Sequence, residues 1–97
     1  MQITKRVTFI AKEGCEDKLK ELLEAMVIPS KNEKGCLNYN IYQYKKNRRK
    51  FMAVETWESE EALEGHKNSE HYKVYKSSYE QYIEKKYTDE LDYLVTL

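Results

Sequence analysis

The apolar residues of this chain recur with two different periods, and the period changes mark its elements. The opening run, MQITKRVTFIAK, alternates as a strand does: Val7 and Phe9 share one face and Ile10 lies on the other. Gly14 ends that run. Residues 15–28 switch to helical spacing, with Cys15, Leu19, Leu22, Leu23, Met26 and Val27 at i, i+4, i+7, i+8, i+11 and i+12 on one stripe. Pro29 is expected to close this helix, because proline disfavours helical geometry at the residue before it. Residues 32–35 read as a loop. Leu37, Tyr39 and Ile41 alternate with Asn38 and Asn40, which predicts a second strand. A basic stretch over 45–50, with Asn47 inside it, predicts a hairpin turn into a third strand over 51–57.

Ser59 then stands where a helix N-cap is needed, with Glu60 and Glu61 in the first turn, where the helix dipole favours them. A short helix is predicted over 60–67. Ser69 can cap a second helical run that carries Tyr72, Tyr75, Tyr79 and Tyr82 near a period of 3.6. A last strand is predicted over 90–97 from the alternation of Leu91, Tyr93, Val95 and Leu97. The order is β-α-β-β-α-β, an α+β, ferredoxin-like pattern in which helices cover one face of a four-stranded antiparallel sheet. The strands carry apolar residues on both faces: Phe51, Ala53 and Trp57 on one, Met52 and Val54 on the other. A half-solvated sheet shows cleaner alternation. The second face therefore needs a cover, and the same face of an identical chain supplies one, giving an isologous homodimer with sheet packed on sheet.

The 97 residues are expected to form a single domain over 1–97. Charges balance at 17 basic against 17 acidic residues, so no strong field draws nucleic acid or an anionic membrane. No apolar run approaches the roughly 20 residues that span a bilayer. The strand-like N-terminus lacks a signal-peptide h-region, and a cytoplasmic location is the expectation. Cys15 and Cys36 are not a CxxC pair and read as free thiols of a reducing compartment.

Chemistry concentrates in residues 51–72, FMAVETWESEEALEGHKNSEHY. One carboxylate, one indole and two imidazoles gather there around a strand-to-helix corner. Trp57 is a candidate cavity wall that stacks on a planar substrate, against the alternative of a plain core tryptophan. Glu55 shares its face. It serves as a base or orients a histidine, or else it is a structural acid paired with Arg6 or a lysine across the sheet. His66 and His71 are the only imidazoles and the natural proton-transfer groups. Of the two, His71 is the preferred base, while the other caps a helix end or reaches solvent. Their separation of five is not the i, i+4 spacing of a metal pair, so no metal site is expected. The tyrosine stripe reads first as core, with Tyr72 and Tyr75 as the hydroxyls able to face a cavity. Arg6 and Asn38, polar residues within strands, are further candidates for its lining.

Several segments together resemble the antibiotic biosynthesis monooxygenase family, also described as quinol-monooxygenase-like. They are the strand ending in Lys12-Glu13-Gly14, the run from Glu33 to Tyr39, the pattern Phe51-x-x-x-Glu55-x-Trp57-x-Ser59-x-Glu61-Ala62-Leu63-x-x-His66, and Ser69-x-His71-Tyr72. The resemblance implies a dimeric α+β barrel. It also implies oxidation of a small aromatic or quinol-type substrate by dioxygen, without metal, flavin or haem. Such a site needs a water-poor cavity, a base, and donors for the charge that develops on oxygen. A haem-degrading branch of the fold also resembles this chain at Trp57. It uses an asparagine in the first strand and a histidine on the second helix, where this chain has Arg6, Thr8 and Lys76, which argues against haem. A third branch processes the phosphorylated autoinducer-2 signal, and His66-Lys67-x-x-x-His71-Tyr72-Lys73 resembles it. That reading expects a basic cavity mouth built from Lys67, Lys73 or Arg6. A non-catalytic dimeric ligand-binding barrel, its cavity filled by tyrosines, is the remaining alternative.

Overall fold

The computed structural model describes residues 1–92 and 94. The elements are β1 (Ile3–Ala11), α1 (Glu16–Lys31), β2 (Cys36–Gln43), β3 (Lys50–Trp57), α2 (Glu60–Lys67), α3 (Glu70–Ser78), a 3-10 turn (Tyr79–Tyr82) and β4 (Ile83–Leu91). The four strands form one antiparallel sheet in the order β2-β3-β1-β4, the ferredoxin-like arrangement that the element order predicts. The predicted hairpin closes through Tyr44 N–H to Lys50 O at 3.0 Å and Lys50 N–H to Asn47 O at 2.9 Å.

Strand parity sorts the residues into two layers. On β3, Phe51, Ala53, Glu55 and Trp57 are buried beneath the helices, and the residues between them are only partly covered. The α1 stripe sends Leu19, Leu23 and Met26 into the same core, which also takes Phe9, Tyr39, Leu63, Tyr75 and Tyr79. The opposite face of the sheet carries Arg6, Thr8, Met52 and Val54, with Leu37, Tyr42, Tyr87 and Leu91 exposed around them.

Two boundaries differ from expectation. Helix α1 continues through Pro29 to Lys31. A proline in the last turn removes one amide donor, and its would-be acceptor, the carbonyl of exposed Ala25, can be served by water. The final strand starts at Ile83, not 90. Its inward positions opposite Phe9 and Val7 are Lys86 and Thr88, so this edge strand pairs through its backbone without an apolar alternation to announce it. Tyr93, Val95 and Leu97, on which the predicted alternation leaned, lie outside the described residues.

Candidate functional site

Between the inner face of the sheet and the helices lies a cavity of about 80 Å³. Tyr39, Tyr72 and Tyr75 narrow it, and Glu55, His66 and Lys86 bring polar groups to it. Lys5 and Lys67 also reach its lining. Burial raises the pKa of the Tyr39 hydroxyl, with the Glu55 carboxylate adding to the effect, and burial likewise raises that of Tyr75. Both phenols therefore remain neutral donors. Lys86 is pushed the other way: burial, then the nearby Lys76, lower its pKa. Its Nζ sits 4.6 Å from the Tyr79 ring centroid and 5.7 Å from that of Tyr75, a cation held over aromatic faces.

Trp57 does not line the cavity, contrary to expectation. It is fully buried behind the lining residues and supports two of them. Its indole N–H donates to Glu55 Oε1 at 2.9 Å, and its ring lies 4.4 Å from the His66 ring at an interplanar angle of 33°. Glu55 therefore pairs with the indole, not with Arg6. Arg6 donates to Asp89 at 2.8 Å on the opposite face of the sheet, and Asn38 lies on that face too, accepting from Asn40. Odd and even positions of a strand point to opposite faces. Lys5, Val7, Tyr39 and Ile41 consequently reach the cavity, and Arg6 and Asn38 do not.

The histidines also exchange ranks. His66 is buried at 2% exposure and lines the cavity, whereas His71 is partly exposed and faces a shallow surface recess beside Leu22 and Val74. The two meet at a third residue that the sequence did not single out as a site group. Glu33 Oε2 lies 2.5 Å from His66 Nδ1 and 2.8 Å from His71 Nε2. With Nδ1 committed to Glu33, Nε2 is the His66 nitrogen left for a ligand in the cavity.

Local structure explains the convergence. On one straight helix, residues five apart point about 140° away from each other. The chain breaks instead at Asn68 and Ser69, between α2 and α3. Ser69 N–H donates to His66 O at 3.1 Å, Ser69 Oγ donates to the same carbonyl at 2.7 Å, and that hydroxyl accepts from Tyr72 N–H at 3.2 Å. His66 thus ends one helix and His71 begins the next, both facing Glu33. Glu33 is held by its own turn: its N–H donates to Ser30 O at 3.1 Å, and its carbonyl accepts from Cys36 N–H at 3.1 Å. Gly35, at φ +84°, lets that turn lie against α2, where an added Cβ would stand 2.5 Å from Ala62 Cβ. The signal available in the sequence was Glu33-Lys-Gly, an acid next to a turn glycine, but only the packing of the loop on α2 gives that acid a partner.

Comparison with known proteins follows the same lines. The profile described as antibiotic biosynthesis monooxygenase matches residues 3–77. A Mycobacterium tuberculosis protein named "Putative monooxygenase Rv0793" is 30% identical over 69 residues, which is 71% of this chain and 67% of that protein. The crystal structure of PA3566 from Pseudomonas aeruginosa superposes with a TM-score of 0.93 at 32% identity, covering 97% of this chain and 95% of that one. A structure described as a putative antibiotic biosynthesis monooxygenase from Nitrosomonas europaea has a TM-score of 0.89 at 17% identity, covers 96% of this chain and 90% of its own, and speaks to the fold alone.

Proposed function

The chain belongs to the antibiotic biosynthesis monooxygenase family, and from that membership we propose that it is a cofactor-independent monooxygenase of small aromatic, quinol-type substrates. The observation that carries this reading is a buried imidazole, His66, which lines the cavity and is oriented from behind by Glu33 and Trp57. A carboxylate on one ring nitrogen sets the tautomer and stabilises the imidazolium that forms when the other nitrogen takes a proton.

In this mechanism a single-ring hydroquinone enters as Tyr72 turns outward, since the cavity is small against the roughly 300–1,000 Å³ of pockets for larger ligands. His66 Nε2 accepts a phenolic proton. The electron-rich ring then reduces dioxygen directly; one oxygen atom enters the ring, the other leaves as water, and the hydroquinone becomes a hydroxyquinone. The neutral phenols of Tyr39 and Tyr75 and the Lys86 ammonium are the groups available to hydrogen-bond the oxygen that gains charge. His71 acts through Glu33, not on the substrate. The protein works as a homodimer, closed over the open face of the sheet, with residues 1–97 as one domain. The free thiols of Cys15 and Cys36 fit the reducing cytoplasm.

Oxygen consumption with a panel of hydroquinones tests the proposal. Turnover that is present in the wild type and lost in His66→Gln is the expected result. The absence of oxygen uptake across the panel sinks the reading.

One observation favours a second reading. Lys5, Lys67 and Lys86 surround the cavity with positive charge, which suits a small phosphorylated keto-sugar better than a neutral quinol. Lys67 was expected at such a mouth; Lys73 is exposed elsewhere and Arg6 lies across the sheet. Competition between inorganic phosphate and the substrate that is lost in Lys86→Met would favour this second reading. The polar lining of Glu55, His66 and Lys86 weighs against a non-catalytic barrel whose cavity is filled by tyrosines.

A further inference from the structure

The junction of the 32–35 loop with the α2–α3 break carries a donor set that proton transfer alone does not explain. Glu33, His66 and His71 each turn one ligand atom inward, and the three atoms lie within 4.8 Å of one another. They are two imidazole nitrogens and one carboxylate oxygen, a combination that suits divalent ions of the zinc class and suits magnesium or calcium poorly. We propose that Glu33, His66 and His71 form a binding site for a divalent transition metal.

The residues are placed for it. His66 is anchored by its tilted ring contact with Trp57, and His71 Nε2 also has Ser69 Oγ at 3.3 Å. Tetrahedral zinc with bonds of about 2.0–2.1 Å wants its donor atoms somewhat more than 3 Å apart. The Glu33 oxygen is closer than that to both nitrogens. It would back away by less than about 1 Å on its flexible stem, and the His71 ring would swing towards His66, which its partial exposure permits. On binding, the proton on His66 Nδ1 moves to Nε2 or leaves, as neutral imidazole ligation requires. Three protein ligands leave one position for water, and Glu33 also borders a surface recess lined by Glu58, Glu61 and Lys34. Two carboxylates at that recess favour entry of a cation.

Metal binding is measured without substrate, independently of the proposed oxidation; an ion on Nδ1 that leaves Nε2 protonated would block that nitrogen as a base. Protein stripped with EDTA is titrated with Zn²⁺ by calorimetry, and the Co²⁺ form is examined by electronic absorption. The expected result is saturable uptake of one ion per chain, with cobalt d–d bands of a four-coordinate site. His71→Gln and Glu33→Gln should each weaken Zn²⁺ binding at least about tenfold. Both change side chains that solvent reaches, and circular dichroism checks that the fold is intact. Failure of wild-type protein to take up Zn²⁺ saturably overturns the proposal. So does uptake that is unchanged in both variants, which would place the ion on other side chains.

Discussion

Glu33 and His66, 33 positions apart in the chain, meet through one carboxylate oxygen and one ring nitrogen at 2.5 Å. This contact ties the turn after α1 to the end of α2 and leaves Nε2 as the uncommitted nitrogen of a ring that lines the cavity. It also divides the two histidines by role: one faces the cavity, the other faces the carboxylate from outside.

That division has a kinetic consequence. A positioned general base contributes roughly 10²–10⁴-fold to rate. Replacing His66 by Gln should therefore lower oxygen uptake with a turned-over hydroquinone by about that factor. His71→Gln, which leaves Glu33 on His66, should cost less than about tenfold. Steady-state rates of the two variants, side by side, decide it; a larger loss in His71→Gln would return the base assignment to His71.

Gly35 is where the Glu33 loop is most vulnerable. An alanine there meets two obstacles, the positive φ and the Ala62 methyl group at 2.5 Å. Backbone strain of this kind costs about 1–3 kcal/mol, so Gly35→Ala should lower the midpoint of urea unfolding. Because the loop must lift from α2, turnover should also fall under conditions where the variant is still fully folded. Wild-type stability in this variant would contradict the packing described.

Trp57 supplies both a ring contact to His66 and a hydrogen bond to Glu55. Trp57→Phe keeps an aromatic ring over His66 but leaves Glu55 Oε1 without its donor, and an unpaired buried acceptor costs about 1–3 kcal/mol. Trp57→Ala should cost about 3–5 kcal/mol through the cavity it opens. Chemical denaturation of both variants measures the difference between them.

The open face of the sheet predicts self-association. Leu37 and Tyr42 are about half exposed there, at 52% and 51%, and Leu91 adds to the same apolar surface at 39%. Sedimentation velocity at micromolar concentration should return a dimer for the wild type. Tyr42→Asp, which buries a charge if that face is covered, should return a monomer with its fold intact. A monomeric wild type would show that something other than a second copy covers the face, or that water does.

Period and capping made most of the architecture legible in the sequence. The α1 stripe, the alternation of Phe51, Ala53 and Trp57, and the caps at Ser59 and Ser69 are local signals, and both serines accept the expected amide N–H, from Ala62 at 3.1 Å and from Tyr72 at 3.2 Å. The fold class and family followed from those signals in order. What escaped was the placement of the last strand: β4 runs over Ile83–Leu91, not 90–97, and is held by backbone pairing to β1, which no apolar alternation announces. The site was legible only in its parts. Residue types named His66, His71, Glu55, Tyr72 and Tyr75 as candidates, because imidazole, carboxylate and phenol chemistry belongs to the side chain. Which face Arg6 and Asn38 occupy depended on strand register, and the burial of Trp57 behind the cavity depended on packing. The partnership of Glu33 with both histidines depended on a loop folding back across 33 and 38 positions. Long-range contacts of that kind are set by the tertiary structure, since no local preference of the chain encodes which distant group will complete a hydrogen bond.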